Sequence, residues 1–216
     1  MPEPSLRIKE LLALLPAGVQ LVAVSKLHPA QAIRSAYSAG QRRFGESRAD
    51  ELAAKAAELP SDIEWHFIGH LQTNKVRRVL PVISMIESID SERLLRAVSA
   101  EASRLGRTVR ILMQVHVAAE QTKTGFLPSE LEAAARLALT LPGIEVAGVM
   151  GMATTTDDQA RIGADFDAIA ALGSRLRAIV PGATHVSMGM SGDWPLAAAR
   201  GATLVRIGSA IFGPRS

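Results

Sequence analysis

The sequence predicts an α/β protein folded as a single-domain (β/α)8 TIM barrel, and three observations support this fold class. Eight short apolar runs recur along the 216 residues, and several are rich in the β-branched residues that favour strands. Amphipathic stretches with Ala, Leu and Ile at helical spacing separate them. No linker rich in Pro, Gly and Ser divides the chain, so we expect one domain over residues 1–216. Repeated βα units form a parallel sheet, and eight strands close a barrel.

The elements follow one another from the N-terminus. A helical segment opens the chain, and we expect residues 1–18 to pack as an N-terminal helix on the barrel, because residues 208–216 are too few for a usual closing helix. Pro128 and Pro195 suit first helical turns, where a missing N–H costs nothing. The predicted strands are 21–24, 43–45, 64–68, 84–88, 109–117, 144–149, 184–187 and 203–207. The predicted helices between them include 29–39, 47–59, 91–105, 128–141 and 157–180.

The chain is short for this fold, whose lengths begin near ~200 residues, so we expect few insertions and no second domain. An open, doubly wound sheet is the alternative architecture. No Gly-x-Gly-x-x-Gly follows the first predicted strand, which favours the barrel.

Composition excludes several classes of protein. Twenty-four Lys and Arg against 21 Asp and Glu leave a net charge of +3, and one Tyr, two Trp and five Phe offer few stacking platforms, so we expect no nucleic-acid partner. The absence of Cys excludes a disulfide scaffold, thiolate metal sites and a thiol nucleophile. No apolar run approaches the ~20 residues of a membrane span. Residues 1–5 are no basic leader, so we expect a cytoplasmic protein with no membrane partner, and we expect a monomer.

Two other site classes are weakly represented. His66 and His70 are four residues apart, but a strand followed by a loop does not place them on one helix face, so we expect no metal site and an interior role for His66. Ser25, Ser191 and Ser209 have no evident His–Asp pairing, which argues against a hydrolase triad.

One lysine stands out at the first strand end. Lys26 follows four apolar residues, at the mouth where barrel sites form. Partial desolvation there would lower its pKa and free the amine for a Schiff base with an aldehyde. The alternative is a lysine that extends to solvent, and the spacing alone does not decide between them.

Small residues follow the last two strands. Residues 187–193 and 206–209 are rich in Gly and Ser, and the loops after strands seven and eight form the usual phosphate site of this barrel. Backbone N–H groups at a helix N-terminus bind anions well. The alternative is two ordinary glycine turns. Together with Lys26 across the mouth, these loops describe a site for pyridoxal 5′-phosphate (PLP).

Six motifs occur in a specific order along nearly the whole chain, from about Val22 to Gly213. They are residues 23–26 (Ala-Val-Ser-Lys), 44–46 (Phe-Gly-Glu), 65–69 (Trp-His-Phe-Ile-Gly), 71–75 (Leu-Gln-Thr-Asn-Lys), 187–191 (Ser-Met-Gly-Met-Ser) and 205–213 (Val-Arg-Ile-Gly-Ser-Ala-Ile-Phe-Gly). Each motif is weak, but the ordered set is specific. It resembles the pyridoxal phosphate homeostasis proteins, a family similar to the N-terminal barrel of alanine racemase without its second domain.

The resemblance implies PLP as cofactor and assigns its contacts. Lys26 matches the Schiff-base lysine, and Arg206 matches the residue that faces the pyridine nitrogen. The phosphate-contacting positions match Ser191, Gly208 and Ser209.

Three further positions match the family pattern less directly. Ser47 stands where the family usually has an Asn beside the cofactor, and this shorter side chain would lose that contact or make it through water. Met190, near the predicted mouth, is expected to line the cofactor. Lys123 aligns only loosely with a racemase arginine and is left unassigned.

Three functions remain open at this stage. The first is a non-catalytic PLP carrier that buffers the cofactor or passes it to PLP-dependent apoenzymes. The second is a small single-domain amino-acid racemase, which needs a second acid/base; the only Tyr, Tyr37, lies in helix 29–39, away from the mouth. Arg206 would also disfavour a protonated pyridinium, which weakens the ring as an electron sink. The third is a phosphosugar-type barrel enzyme in which Lys26 forms a different imine.

Overall fold

The computed structural model describes residues 3–120 and 122–214. Its eight parallel strands form a closed barrel in chain order, in which β1 pairs with both β2 and β8, and the predicted barrel is confirmed. The strands are β1 (Gln20–Val24), β2 (Arg43–Glu46), β3 (Glu64–Phe67), β4 (Met85–Ile89), β5 (Val109–Gln114), β6 (Ile144–Met150), β7 (His185–Ser187) and β8 (Leu204–Ile207).

Helices surround the barrel in the described part of the chain. They are α1 (Pro4–Leu14), α2 (Ala30–Ser38), α3 (Ala49–Glu58), α4 (Val76–Val79), α5 (Glu92–Arg104), α6 (Leu131–Thr140), α7 (Gln159–Ile179), α8 (Trp194–Ala199) and α9 (Ser209–Phe212). A 3₁₀ turn, Thr73–Lys75, precedes α4. This short segment between β3 and β4 is too brief to show a helical repeat in the sequence.

Two expected boundaries are wrong. The fifth strand ends at Gln114 rather than at residue 117, because the chain then leaves the barrel and His116 N–H donates to the Phe126 oxygen, 2.9 Å away, in its own loop. Pro128 does not begin a helix. A turn precedes α6 instead, in which the Glu130 carboxylate accepts from Leu127 N–H at 2.8 Å. Pro195 does lie in the first turn of α8.

Side chains alternate along each strand between two cores. Outward-facing residues such as Leu21, Ala23 and Phe44 pack under the helices. Inward-facing residues fill the barrel, and they include Val22, Met85, Leu112, Ala147, Met150 and Leu204. Lys26 lies two residues after the end of β1, in a turn at the mouth of the barrel.

The two ends of the chain meet on the outside of the barrel. On α1, Ile8 is fully buried, and Arg7 Nη1 donates to the Ile211 oxygen of α9 at 3.1 Å. The helix α9 has only four residues, and α1 packs against both α9 and α2. None of the described helices is both long and apolar enough to cross a membrane.

Candidate functional site

Three backbone and side-chain groups converge where the loops after β7 and β8 meet. Ser191 Oγ accepts from the backbone N–H groups of Gly208 and Ala210 at 3.3 and 3.4 Å. We call Ser191 Oγ and these two N–H groups the anion cradle. It brings Ser191 and Gly208 together, and Ser209 lies between the two N–H donors as the first residue of α9.

Gly208 places the anion cradle against the end of β1. A Cβ atom at Gly208 would lie 3.1 Å from the Val24 oxygen and 3.2 Å from Val24 Cβ, closer than side chains normally approach. The absence of a side chain therefore allows this loop to lie directly against the strand end that Lys26 follows. Lys26 itself is half-buried.

Hydrogen bonds within the loop after β7 hold it closed. Asp193 Oδ1 accepts from the backbone N–H of Met190 at 2.5 Å, and the Met190 oxygen accepts from Trp194 N–H at 2.9 Å. This loop carries Ser191 into the anion cradle and leaves the Met190 side chain 43% exposed at the mouth.

A buried set of side chains holds both residues that flank Lys26. Lys55 Nζ donates to the Ser25 main-chain oxygen at 2.8 Å and to Glu46 Oε1 and Glu51 Oε1, each at 2.7 Å. Ser25 Oγ donates to Glu46 Oε1 at 2.7 Å, and Leu27 N–H donates to Glu51 Oε1 at 2.6 Å. We call Glu46, Glu51 and Lys55 the lysine clamp. It fixes the backbone on either side of Lys26 from β2 and α3.

A second polar set spans the inside of the barrel below the mouth. His66 Nδ1 lies 2.6 Å from Glu87 Oε1, Ser187 Oγ donates to Glu87 Oε2 at 2.6 Å, and Arg206 Nη1 donates to Ser187 Oγ at 2.6 Å. Arg206 Nη2 also donates to the Gly151 oxygen at 3.0 Å. We call His66, Glu87, Ser187 and Arg206 the interior network; all four are at most 5% exposed.

Glu87 and Arg206 carry opposite charges inside the interior network. Burial alone would raise the pKa of the Glu87 carboxyl, but the hydrogen bond from His66 and the charges of His66 and Arg206 outweigh it and hold that pKa below its usual range. Glu87 is therefore ionised and compensates Arg206, whose Nη1 lies 3.9 Å from Glu87 Oε2. Because a carboxylate only accepts, His66 carries its hydrogen on Nδ1.

Ser47 lies on another side of the mouth. A Cβ on Gly69, after β3, would fall 2.6 Å from Ser47 Cβ, so the two loops are in close contact. Ser47 lines a cavity of about 690 Å³ that also borders Leu27, the residue after Lys26, and has Phe67 and Leu71 among its walls. This cavity opens between the β2 and β3 loops rather than toward the anion cradle.

The remaining candidates have structural partners. His66 is buried and hydrogen-bonded, as expected of an interior histidine, whereas His70 is exposed and lies 2.8 Å from Asp90. Lys123 joins the loops after β5 and β6 through Glu120 and the Ala153 oxygen. In residues 3–120 and 122–214 no group of three or more His, Asp or Glu could hold a metal ion.

Comparison with known proteins identifies the family. The family model described as alanine racemase, N-terminal domain, matches residues 6–216. A Vibrio alginolyticus protein named pyridoxal phosphate homeostasis protein is 37% identical over 205 residues, which cover 93% of this chain and 88% of that protein. This chain belongs to the pyridoxal phosphate homeostasis protein family.

Solved structures of relatives agree with the fold. The structure of PipY from Synechococcus elongatus PCC7942 with PLP bound superimposes with a TM-score of 0.90 at 40% identity, covering 97% of this chain and all of that one (100%). Alanine racemase from Corynebacterium glutamicum gives a TM-score of 0.74 at 15% identity, and this chain covers 59% of it. That second likeness concerns the fold alone, which is the barrel of the alanine racemase N-terminal type.

Sequence reasoning missed the lysine clamp and most of the interior network. Glu46 was part of a motif without a role, and neither Glu51 nor Lys55 was singled out. The available signals were a Glu inside the apolar run 84–88 and a Lys on the face of α3 that buries Leu52. A charged residue at a position that periodicity assigns to a core indicates a buried partner.

Proposed function

We propose that this protein binds PLP at the mouth of a single barrel domain, as a Schiff base on Lys26, and serves PLP homeostasis without catalytic turnover. The observation that carries the proposal is the anion cradle lying against the end of β1, immediately before Lys26. The family assignment and the PLP-bound relative support the same cofactor.

The anion cradle suits a phosphate group. Two N–H donors share one neutral hydroxyl acceptor at 3.3 and 3.4 Å, which are long hydrogen bonds. A doubly charged phosphate is a stronger acceptor and would take these two N–H groups in place of Ser191 Oγ, in shorter hydrogen bonds. A side chain at Gly208 would press against Val24 and push this loop away from the end of β1, so the glycine keeps the anion cradle close to the strand end that Lys26 follows. We propose that Ser191, Gly208 and Ser209 hold the phosphate, while Met190 and Ser47 border the cofactor.

The interior network argues for a carrier over a racemase. Arg206 donates hydrogen bonds and cannot accept one, so a ring nitrogen facing it would stay unprotonated and withdraw electrons weakly. Racemisation also needs a second acid/base at the substrate. The Tyr37 hydroxyl donates a hydrogen bond to Asp62 Oδ1 at 2.7 Å. Asp62 comes just before β3, so Tyr37 lies at the end of the barrel opposite the mouth.

We further propose that the recipients are PLP-dependent apoenzymes and that the chain acts as a cytoplasmic monomer. The exposed Met190 side chain beside the anion cradle leaves that side of the mouth accessible to a recipient. The absence of Cys suits a reducing compartment.

The deciding experiment is the visible spectrum of the purified protein before and after borohydride. We expect a Schiff-base band that borohydride fixes to the peptide containing Lys26, and loss of that band in Lys26→Ala. Lys75→Ala, which removes an exposed lysine near the same mouth, is the matched control. Location of the reduced adduct mainly on Lys75 or Lys123 contradicts the assignment of Lys26.

Catalysis is tested separately with a chiral assay across common amino acids at saturating PLP. We expect only traces of racemisation. A Lys26-dependent turnover near about one per second, within the ordinary range of enzymes, would make the protein a racemase instead.

A further inference from the structure

The interior network places polar side chains inside the barrel, where apolar side chains would also pack. Val22, Met85, Leu112, Ala147 and Leu204 fill the barrel on the side away from the mouth. Replacing a buried ion pair with apolar residues is often neutral or stabilising, so stability alone does not call for charges here. The network crosses the same interior, from His66 at the end opposite the mouth to Arg206 of β8.

Every donor and acceptor at its centre has a defined direction. The Glu87 carboxylate can only accept and the Arg206 guanidinium can only donate. Ser187, between them, must therefore point its hydrogen at Glu87 and its lone pair at Arg206, at 2.6 Å on each side. The Gly151 oxygen fixes the other terminal nitrogen of Arg206. The plane of the guanidinium is thus held at two points.

His66 holds the far side of Glu87. Its Nδ1 lies 2.6 Å from Oε1, so Glu87 is bound through both carboxylate oxygens and cannot rotate without losing a buried hydrogen bond. The same ring lines a small cavity of about 140 Å³ at the end of the barrel opposite the mouth, beside His185 and Arg110. His66 therefore anchors Glu87 from the far end of the barrel.

We propose that Glu87 is the positioning residue for Arg206, and that with His66 and Ser187 it holds the guanidinium toward the PLP ring nitrogen and sets the electric potential at the Lys26 Schiff base. This inference rests on the proposed function, because it assigns the interior network to the same cofactor. Glu87 of β4 and Asp193 after β7 act electrostatically on Arg206. His66 of β3 and His185 of β7 lie on the other side of Glu87.

The test compares Glu87→Gln with the wild type, each loaded with PLP. Glutamine keeps the size of the side chain and removes its charge, which leaves Arg206 uncompensated. A positive charge disfavours a protonated Schiff base, so we expect the pH midpoint of its absorption change to fall by about one unit, the scale for a unit charge about 10 Å away at an effective dielectric constant of about 20. Glu101→Gln, a buried carboxylate on α5 paired with Arg104, is the matched control and should leave the midpoint unchanged.

A double-mutant cycle shows whether Glu87 acts through Arg206. We expect Glu87→Gln to weaken PLP binding about tenfold when Arg206 is present and to have little effect in the Arg206→Gln background, because coupled residues are not additive. His66→Asn, which can still donate to Glu87, should bind PLP better than His66→Leu. If Glu87→Gln does not fold, Ser187→Ala takes its place in the double-mutant cycle with the same expected direction, because it breaks the link between Glu87 and Arg206 while keeping both charges.

An unchanged midpoint, or equal weakening in both backgrounds, in a folded variant overturns the positioning role. In that case the wild type still shows its Schiff-base band, and the proposed function stands. Absence of the band from the wild type contradicts the proposed function itself, and the positioning role falls with it.

Discussion

Lys55 Nζ donates a hydrogen bond of 2.8 Å to the main-chain oxygen of Ser25, the residue before Lys26. On the other side, Leu27 has φ of +65°, a left-handed conformation that costs a non-glycine residue about 1–2 kcal/mol. Its N–H is held by Glu51 at 2.6 Å. The lysine clamp therefore stabilises the sharp turn that contains Lys26 at the barrel mouth.

Loss of Lys55 should be costly. Lys55→Met would leave Glu46, which is completely buried, without its cation, and breaking a buried pair in this way costs about 3–5 kcal/mol. The free energy of unfolding from denaturant titration measures the change. Lys75→Met breaks an exposed pair with Asp50 and should cost at most about 1 kcal/mol. Similar losses for the two variants would show that the lysine clamp contributes no more than a surface ion pair.

The barrel could be predicted from the sequence because its signals are local. Each strand is an apolar run of a few residues, since neighbours such as Leu21 and Val22 face two different cores. The residues at the mouth could be predicted from the positions of the strand ends, because sites in this fold lie on the loops that follow the strands. Only boundaries that depend on loop contacts, such as the end of β5 and the start of α6, were placed incorrectly.

The polar networks could not be read in the same way because their contacts are distant in sequence. Glu87 and Ser187 are 100 residues apart and meet only when the barrel closes. Lys55 is 9 residues from Glu46 and 30 residues from Ser25. The Ser25 oxygen that it binds belongs to the main chain, so the type of the residue gives no sign of this contact. The sequence indicates where such charges occur but not which groups satisfy them.

The anion cradle predicts how Ser191 contributes to binding. Ser191→Ala removes one hydroxyl donor to the phosphate, and hydrogen bonds to charged groups contribute roughly 1.5–3 kcal/mol, so PLP should bind about tenfold to a hundredfold more weakly. We expect a similar loss for Ser209→Ala. Titration with PLP and with pyridoxal measures both effects, and pyridoxal should bind far more weakly than PLP to the wild type. Equal affinity for the two ligands would remove the argument for a phosphate site. Ser174→Ala, on the exposed surface of α7, is the control.

Gly208 makes a separate, steric prediction. Gly208→Ala places a methyl group 3.1 Å from the Val24 oxygen, and the loop must move by a few tenths of an ångström. Its φ of −120° is negative, so the substitution requires no left-handed conformation. We expect PLP affinity to fall severalfold with little loss of stability. Gly192→Ala in the neighbouring loop meets nothing within 4 Å and should bind PLP normally. If both variants bind equally, the contact between Gly208 and β1 is not needed for the site.

The loops after β5 and β6 are joined by a carboxylate whose titration can be measured. The hydrogen bond from Lys123 at 2.8 Å and the N–H of Thr155 at 2.8 Å lower the pKa of Glu120 from 4.5 to about 2. A pKa that is lower in the folded state gives stability that is present above pH 4.5 and is lost as the pH falls through about 2. The connection between the two loops should therefore persist through mildly acidic conditions.

Removal of the cation should change this titration in a defined direction. In Lys123→Met the Glu120 carboxyl loses its strongest stabilising partner, so its pKa should rise toward 4.5, although the Thr155 N–H still holds it below that value. The Thr155 amide resonance, followed by NMR against pH, reports the midpoint directly, because that N–H donates to Glu120 Oε1. Lys9→Met is the control for net charge, because it removes a lysine from α1 and leaves the loops after β5 and β6 unchanged. It should leave the midpoint near 2. A midpoint that is the same in Lys123→Met and in the wild type would mean that the backbone donors alone keep Glu120 ionised, and that Lys123 is held there by the Ala153 oxygen without acting on the carboxylate.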